Sequence, residues 1–85
     1  MEHLIIAFRS RAQTVRFSNI LRQNGINNLI VNTPKEAGVG CGLSVEIRRE
    51  AFSLVKKLLK RGRLDTFAGF FLVYEGKDRR IVTSI

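Results

Sequence analysis

Two stretches of helical periodicity, each flanked by short apolar runs, constrain this chain more than any other feature of it. Leu4-Ile5-Ile6-Ala7-Phe8 is a short apolar run and reads as a buried strand. Ser10, with Gln13 three residues on, forms a capping box that starts a helix at about Arg11. Thr14, Phe17, Ile20 and Leu21 then share one helical face, and Gly25-Ile26 supplies a glycine stop with its apolar contact. Residues 29–33 read as a second strand, which Pro34 ends because proline cannot donate to a ladder. Leu43, Val45 and Ile47 alternate with Ser44, Glu46 and Arg48, the pattern of a strand with one wet face. A second helix runs from about 50 to 61, with Ala51, Leu54, Val55, Leu58 and Leu59 inward and Gly62 as its cap. Nothing at its start is a good N-cap. Residues 67–75 read as a fourth strand with Gly69 as a bulge. Gly76-Lys77-Asp78 is a turn signal, and Ile81-Val82-Thr83 allows a fifth strand.

This order predicts an α+β, ferredoxin-like split β-α-β-β-α-β sandwich. Its sheet is antiparallel, of order 4-1-3-2 with an optional extra C-terminal strand, and both helices lie on one face. A small open sheet of another order is the rival arrangement. With 85 residues the chain reads as one domain, 1–85, with a core from about 4 to 75 and a C-terminal turn and edge strand beyond. Strands one and four are apolar at consecutive positions, so both their faces need cover, from the fifth strand or from a second protomer. A homodimer is therefore expected.

Composition removes several function classes. One cysteine allows no internal disulfide, and one histidine with one cysteine cannot close a His/Cys zinc site, so no metal and no cofactor is expected. No apolar run approaches the roughly 18 residues of a membrane helix. The start of the chain does not read as a signal peptide, and a cytoplasmic protein with a reduced thiol is expected. The net charge of +8 suits an anionic partner, and the basic residues come in short groups with no basic tail.

Between strands two and three lies Lys35-Glu36-Ala37-Gly38-Val39-Gly40-Cys41-Gly42. In the expected topology this loop lies at the end of the sheet where strand one finishes and helix one begins. Helix two brings Lys60, Arg61 and Arg63 to the same end. Cys41 is then the candidate reactive residue, in a positive field from Arg9, Arg11, Lys35 and the dipole of helix one. Nearby cations or a helix N-terminus lower a thiol from about 8.5 into the range ~3.5–7.5. Gly38, Gly40 and Gly42 can present backbone N–H groups to a thiolate or persulfide anion without side-chain obstruction. The competing reading of a lone cysteine is a small buried hydrophobe, and of glycines between strands a plain turn.

The segment Pro34-Lys35-Glu36-Ala37-Gly38-Val39-Gly40-Cys41-Gly42-Leu43 resembles the signature of the selenium/sulfur carrier protein-like family. The flanking order of a strand, a helix ending at Gly25-Ile26 and a helix ending at Gly62 is similar as well, over roughly residues 4 to 75. The family's stretch before the cysteine tends to be serine-rich, whereas here it is Gly38-Val39-Gly40, and the tail from Gly76 lies beyond the usual pattern. The resemblance implies that Cys41 carries sulfur or selenium as a persulfide or selenopersulfide. It also implies a donor protein and an acceptor protein, in stoichiometric transfer more than enzymatic turnover. Pro34 and Glu36 belong to the motif, Glu36 reading best as a solvated surface acid.

Two other readings stand beside it. One is an RNA-binding module, since the same element order serves RNA-recognition domains. Those domains stack bases on aromatics of strands one and three, and the third strand here has none. The other is a noncatalytic interaction or ligand-sensing domain using the free sheet face. A Cys/His pair is excluded by distance, because His3 begins strand one roughly 20 Å from Cys41 by strand rise. His3 reads as an exposed terminal residue. Phe8, Phe17, Phe52 and Tyr74 read as core or interface. No Gly-Lys-Ser/Thr follows the glycines, and a strand follows them in place of a helix, so the loop is neither a P-loop nor a dinucleotide fingerprint.

Overall fold

Five strands form one antiparallel sheet in the order β2-β3-β1-β4-β5, the expected 4-1-3-2 order with the extra strand beside β4. The computed structural model describes residues 1–39 and 42–85. The elements are β1 (Glu2–Phe8), α1 (Arg11–Gln23), β2 (Leu29–Asn32), β3 (Leu43–Ile47), α2 (Phe52–Gly62), β4 (Phe67–Glu75) and β5 (Arg80–Ser84). Short 3₁₀ turns at Lys35–Ala37 and Arg49–Ala51 punctuate the chain.

β1 is the central strand, paired with β3 on one side and β4 on the other. That position explains its unbroken apolar run, since Leu4 to Phe8 are all buried. Alternate residues serve two different layers. Leu4, Ile6 and Phe8 join Phe17, Leu21, Val55 and Leu58 in the core beneath the helices. Ile5 and Ala7 face the opposite way and cluster with Phe71 and Val73.

The helix signals work in part. Ser10 Oγ accepts the Gln13 N–H at 3.3 Å, as a capping residue should. The Gln13 side chain does not complete the box. Its amide nitrogen donates to Asp65 at 2.7 Å, and its oxygen accepts the Thr66 N–H at 2.9 Å. Gln13 thereby fastens the start of α1 to the α2–β4 connection. At the other end Gly25 adopts φ +74°, with its N–H on the Arg22 carbonyl and the Ile26 N–H on the Leu21 carbonyl. These two bonds make a Schellman motif, which satisfies carbonyls the helix leaves orphaned.

α2 departs from expectation at both ends. It enters through a 3₁₀ turn with no side-chain cap. Its left-handed closing residue is Arg63, at φ 51°, with Gly62 still helical. Gly62 has a packing role: a Cβ there would meet Leu64 Cδ1 at 3.1 Å and Ile20 Cδ1 at 3.7 Å. Leu54 is 48% exposed and does not line the buried side. The bulge is where expected, with Gly69 at φ +145° beside the register shift between Ala7 and Phe8.

Candidate functional site

β3 has no wet face. Ser44, assigned from alternation to the solvent side, is fully buried, and its hydroxyl lies 2.7 Å from that of Thr33. The reason is the segment that follows β2. Pro34 is buried, and the Lys35–Ala37 turn carries Ala37 and Val39 onto the cluster of Ile5, Ala7, Phe71 and Val73. Part of the sheet face away from the helices is therefore covered by the chain's own loop, and Val31, Ala68 and Val82 of β2, β4 and β5 pack against the same cluster.

The loop is tied in three ways. At its neck the Thr33 N–H donates to the Gly42 carbonyl at 3.1 Å, alongside the Thr33–Ser44 hydroxyl contact. Over the sheet, Ala37 and Val39 make the apolar contact just described. At its far side, the Arg80 guanidinium donates from Nε and Nη2 to the two Glu36 carboxylate oxygens, at 3.1 and 2.8 Å. Glu36 is therefore not the free surface acid its surroundings in sequence suggest. The hydrogen bond from Arg80 holds its carboxyl below the ordinary 4.5, and Arg80 is raised in turn by the same bond. Gly38 adopts φ 67° and closes the turn, its N–H donating to the Lys35 carbonyl at 3.1 Å.

Cys41 and Gly40 lie outside the described residues. Their neighbours in sequence are placed. Gly42 is exposed and closes the neck. The Leu43 carbonyl accepts a hydrogen bond from Thr14 Oγ1, in the first turn of α1, at 3.3 Å. The third strand thus begins against the N-terminal turn of α1. Arg9 precedes that turn, its N–H on the Thr66 carbonyl at 2.8 Å, and Arg11 opens it. Both side chains are exposed, as are Lys35, Lys60, Arg61 and Arg63. The Gln13 bonds to Asp65 and Thr66 bring the end of α2, with Arg63, to the same end of the sheet.

The opposite end holds a different arrangement. His3 is not an exposed terminus: its side chain is 19% exposed, with Nε2 3.3 Å from Glu46 and 3.8 Å from Glu75. A groove of about 800 Å³ opens beside it, lined by Ile26, Asn28, Glu46 and Arg48 among others. Among the described residues no group of His, Cys, Asp and Glu could hold a metal ion. Tyr74 is 44% exposed, while Phe8 and Phe17 are core residues whose rings meet edge to face at 5.5 Å. No described helix is long and apolar enough to cross a membrane.

The register also bears on RNA binding. The face that would stack bases presents Ile5 and Ala7 from β1, and Ser44 and Glu46 from β3. None is aromatic, and Ala37 and Val39 already pack on this face.

These features define a small ferredoxin-like α+β domain with the β2–β3 loop packed over part of its free sheet face. A family model described as Putative Se/S carrier protein-like matches residues 3–68, and the chain belongs to that family. The match covers β1 to α2 with the loop between β2 and β3 and ends at the start of β4, so Arg80 reaches Glu36 from outside the matched segment. Comparison with curated proteins gave no match, and comparison with solved structures gave none.

Proposed function

We propose that the protein is a single-thiol carrier of sulfur or selenium, with Cys41 as the carrying residue. The thiolate attacks the outer sulfur of a donor persulfide, R–S–SH. The Cys41–sulfur bond forms as the donor S–S bond breaks, R–S⁻ leaves, and the product is Cys41–S–SH. Charge and sulfur oxidation state balance, so no external oxidant or reductant enters. Attack by an acceptor thiolate on the same outer sulfur completes the transfer. Selenium follows the same course as Cys41–S–SeH.

The supporting observation is the Thr14–Leu43 bond, which fixes the residues just after Cys41 against the N-terminal turn of α1. A helix N-terminus favours an anion. Arg9 and Arg11 are exposed beside that turn, and Lys35 is exposed on the loop. Gly40 and Gly42 are proposed to give the persulfide anion its backbone donors, while Gly38, whose N–H is taken by the Lys35 carbonyl, shapes the turn, and Pro34 and Glu36 fix the loop that holds them. The family membership supports the class of cargo and the need for a donor and an acceptor protein.

The test is intact-mass measurement after incubation with a small-molecule persulfide donor. The wild type is expected to gain one sulfur, removable by a thiol, and Cys41→Ala none. No gain on the wild type, or equal gain on Cys41→Ala, ends this reading.

A further inference from the structure

Charge is sorted between the two layers of this fold. α1 carries Arg11, Arg16 and Arg22, and α2 carries Lys56, Lys57, Lys60 and Arg61. Neither helix contains an aspartate or a glutamate. Glu50 and Asp65 stand just beyond the two ends of α2, and Asp65 is engaged by Gln13. Every ion pair among the described residues lies elsewhere, at His3, Glu2–Arg49 and Glu36–Arg80.

This arrangement costs helix stability. Lys56 and Lys60, and likewise Lys57 and Arg61, are like charges four residues apart, a spacing that destabilises a helix. Arg11 stands at the positive end of the α1 dipole. Placing one acid at any of these exposed positions would relieve the repulsion.

The cations are interleaved with exposed apolar side chains. Leu54, 48% exposed, shares a helical face with Lys57 and Arg61, three and seven residues on. Val15, 43% exposed, shares one with Arg11 and Arg22. The exposed residues of the two helices include no aromatic on which a base could stack, since Phe17 is buried and Phe52 is half-buried with Lys56 over its ring at 5.0 Å. Apolar contacts within a charged surround are the anatomy of a protein interface.

We infer that the outer face of the α1–α2 layer is the docking surface for an acidic protein face, one carrying carboxylates around a small apolar centre. The identification of that partner as the sulfur donor or acceptor rests on the carrier reading; the surface itself does not. It suits the transfer, because Lys60, Arg61 and Arg11 bring the layer to the end of the sheet where α1 begins.

The experiment maps binding on the 85-residue chain by amide chemical shifts and measures affinity at two salt concentrations. The probes are an acidic peptide of glutamates and leucines, a single-stranded RNA of equal charge, and phosphatidylglycerol vesicles. Peptide shifts are expected on α1 and α2, with affinity falling as salt rises. Lys57→Glu/Arg61→Glu is expected to weaken the peptide at least tenfold, and Leu54→Ser several-fold. Lys77→Glu/Arg79→Glu makes the same change of net charge in the β4–β5 turn and is expected to change affinity less than twofold. Equal loss in that control pair overturns the inference, because binding would then follow net charge alone. No effect of Leu54→Ser, or tighter binding of RNA or vesicles than of peptide, also overturns it. Sulfur addition to Cys41 is measured separately, so the docking surface and the carrier reading fail independently.

Discussion

Ser44→Ala cuts the neck of the loop at its most buried atom. The Ser44 hydroxyl is fully buried and sits 2.7 Å from Thr33 Oγ1, next to the Thr33 N–H bond to the Gly42 carbonyl. A typical internal hydrogen bond contributes about 1 kcal/mol, and a buried partner left dry costs up to ~3 kcal/mol. Thr33 is half-buried, so water can reach its freed hydroxyl, and the lower figure applies. The expected loss is about 1 kcal/mol by urea denaturation, which lowers the melting temperature by ~4–8 °C in a domain of this size. The Thr33 amide reports the neck directly. Its exchange should accelerate about fivefold, the factor that corresponds to 1 kcal/mol in an equilibrium. The double variant Thr33→Val/Ser44→Ala removes both partners, so a cycle should return a coupling near ~1 kcal/mol. Coupling below about 0.3 kcal/mol, with Thr33 exchange unchanged, would refute the view that this contact closes the loop.

Two further outcomes follow from the same geometry. The Glu36 carboxyl should titrate below 4.5 by NMR, because Arg80 hydrogen-bonds its charged form, and Arg80→Met should raise it toward the ordinary value, with the backbone bond at Glu36 and the nearby Lys35 charge still in place. A carboxyl depressed in the folded state stabilises fully above its unfolded value, and that contribution is lost as pH falls through the folded one; coincident midpoints in the two proteins would contradict the pairing. Arg63→Gly should raise stability by ~0.5–1 kcal/mol by calorimetry, since φ 51° costs any residue with a Cβ about 1–2 kcal/mol and glycine returns part of that as unfolded-chain entropy.

The legible parts of this fold are those written in local chemistry. Ser10 and Gly25 mark the ends of α1 because caps and left-handed turns depend on a few adjacent residues. The five-strand order followed from element sequence, since short connections leave few topologies open. Most of what failed depended on partners far away in sequence. Ser44 and Val45 alternate as a wet-and-dry strand should, yet the former is buried, its hydroxyl against Thr33 on the sheet face over which Ala37 and Val39 fold back. Their apolar character in an otherwise polar loop was the available signal. Glu36 meets a partner forty-four residues away, on a strand that sequence only allowed. Gln13 satisfied the capping-box pattern, yet Asp65 and Thr66 compete successfully for its amide. Gly62 looked like a cap because glycine usually is one, but packing against Leu64 and Ile20 claimed it.

The three ties on the loop draw on different strands and respond to different conditions. The neck belongs to β2 and β3 and is made of neutral hydrogen bonds, which salt leaves largely untouched. The apolar contact rests on β1 and β4 and weakens with denaturant. The Glu36–Arg80 pair belongs to β5, is more than 40% exposed on both sides, and is the one tie that ionic strength screens. Raising salt or lowering pH therefore weakens the tie at the far side of the loop and leaves the neck and the apolar contact of Ala37 and Val39 in place. On the carrier reading this gives β5 a purpose beyond covering an edge. It holds one side of the loop that leads to Cys41 through the Arg80–Glu36 pair.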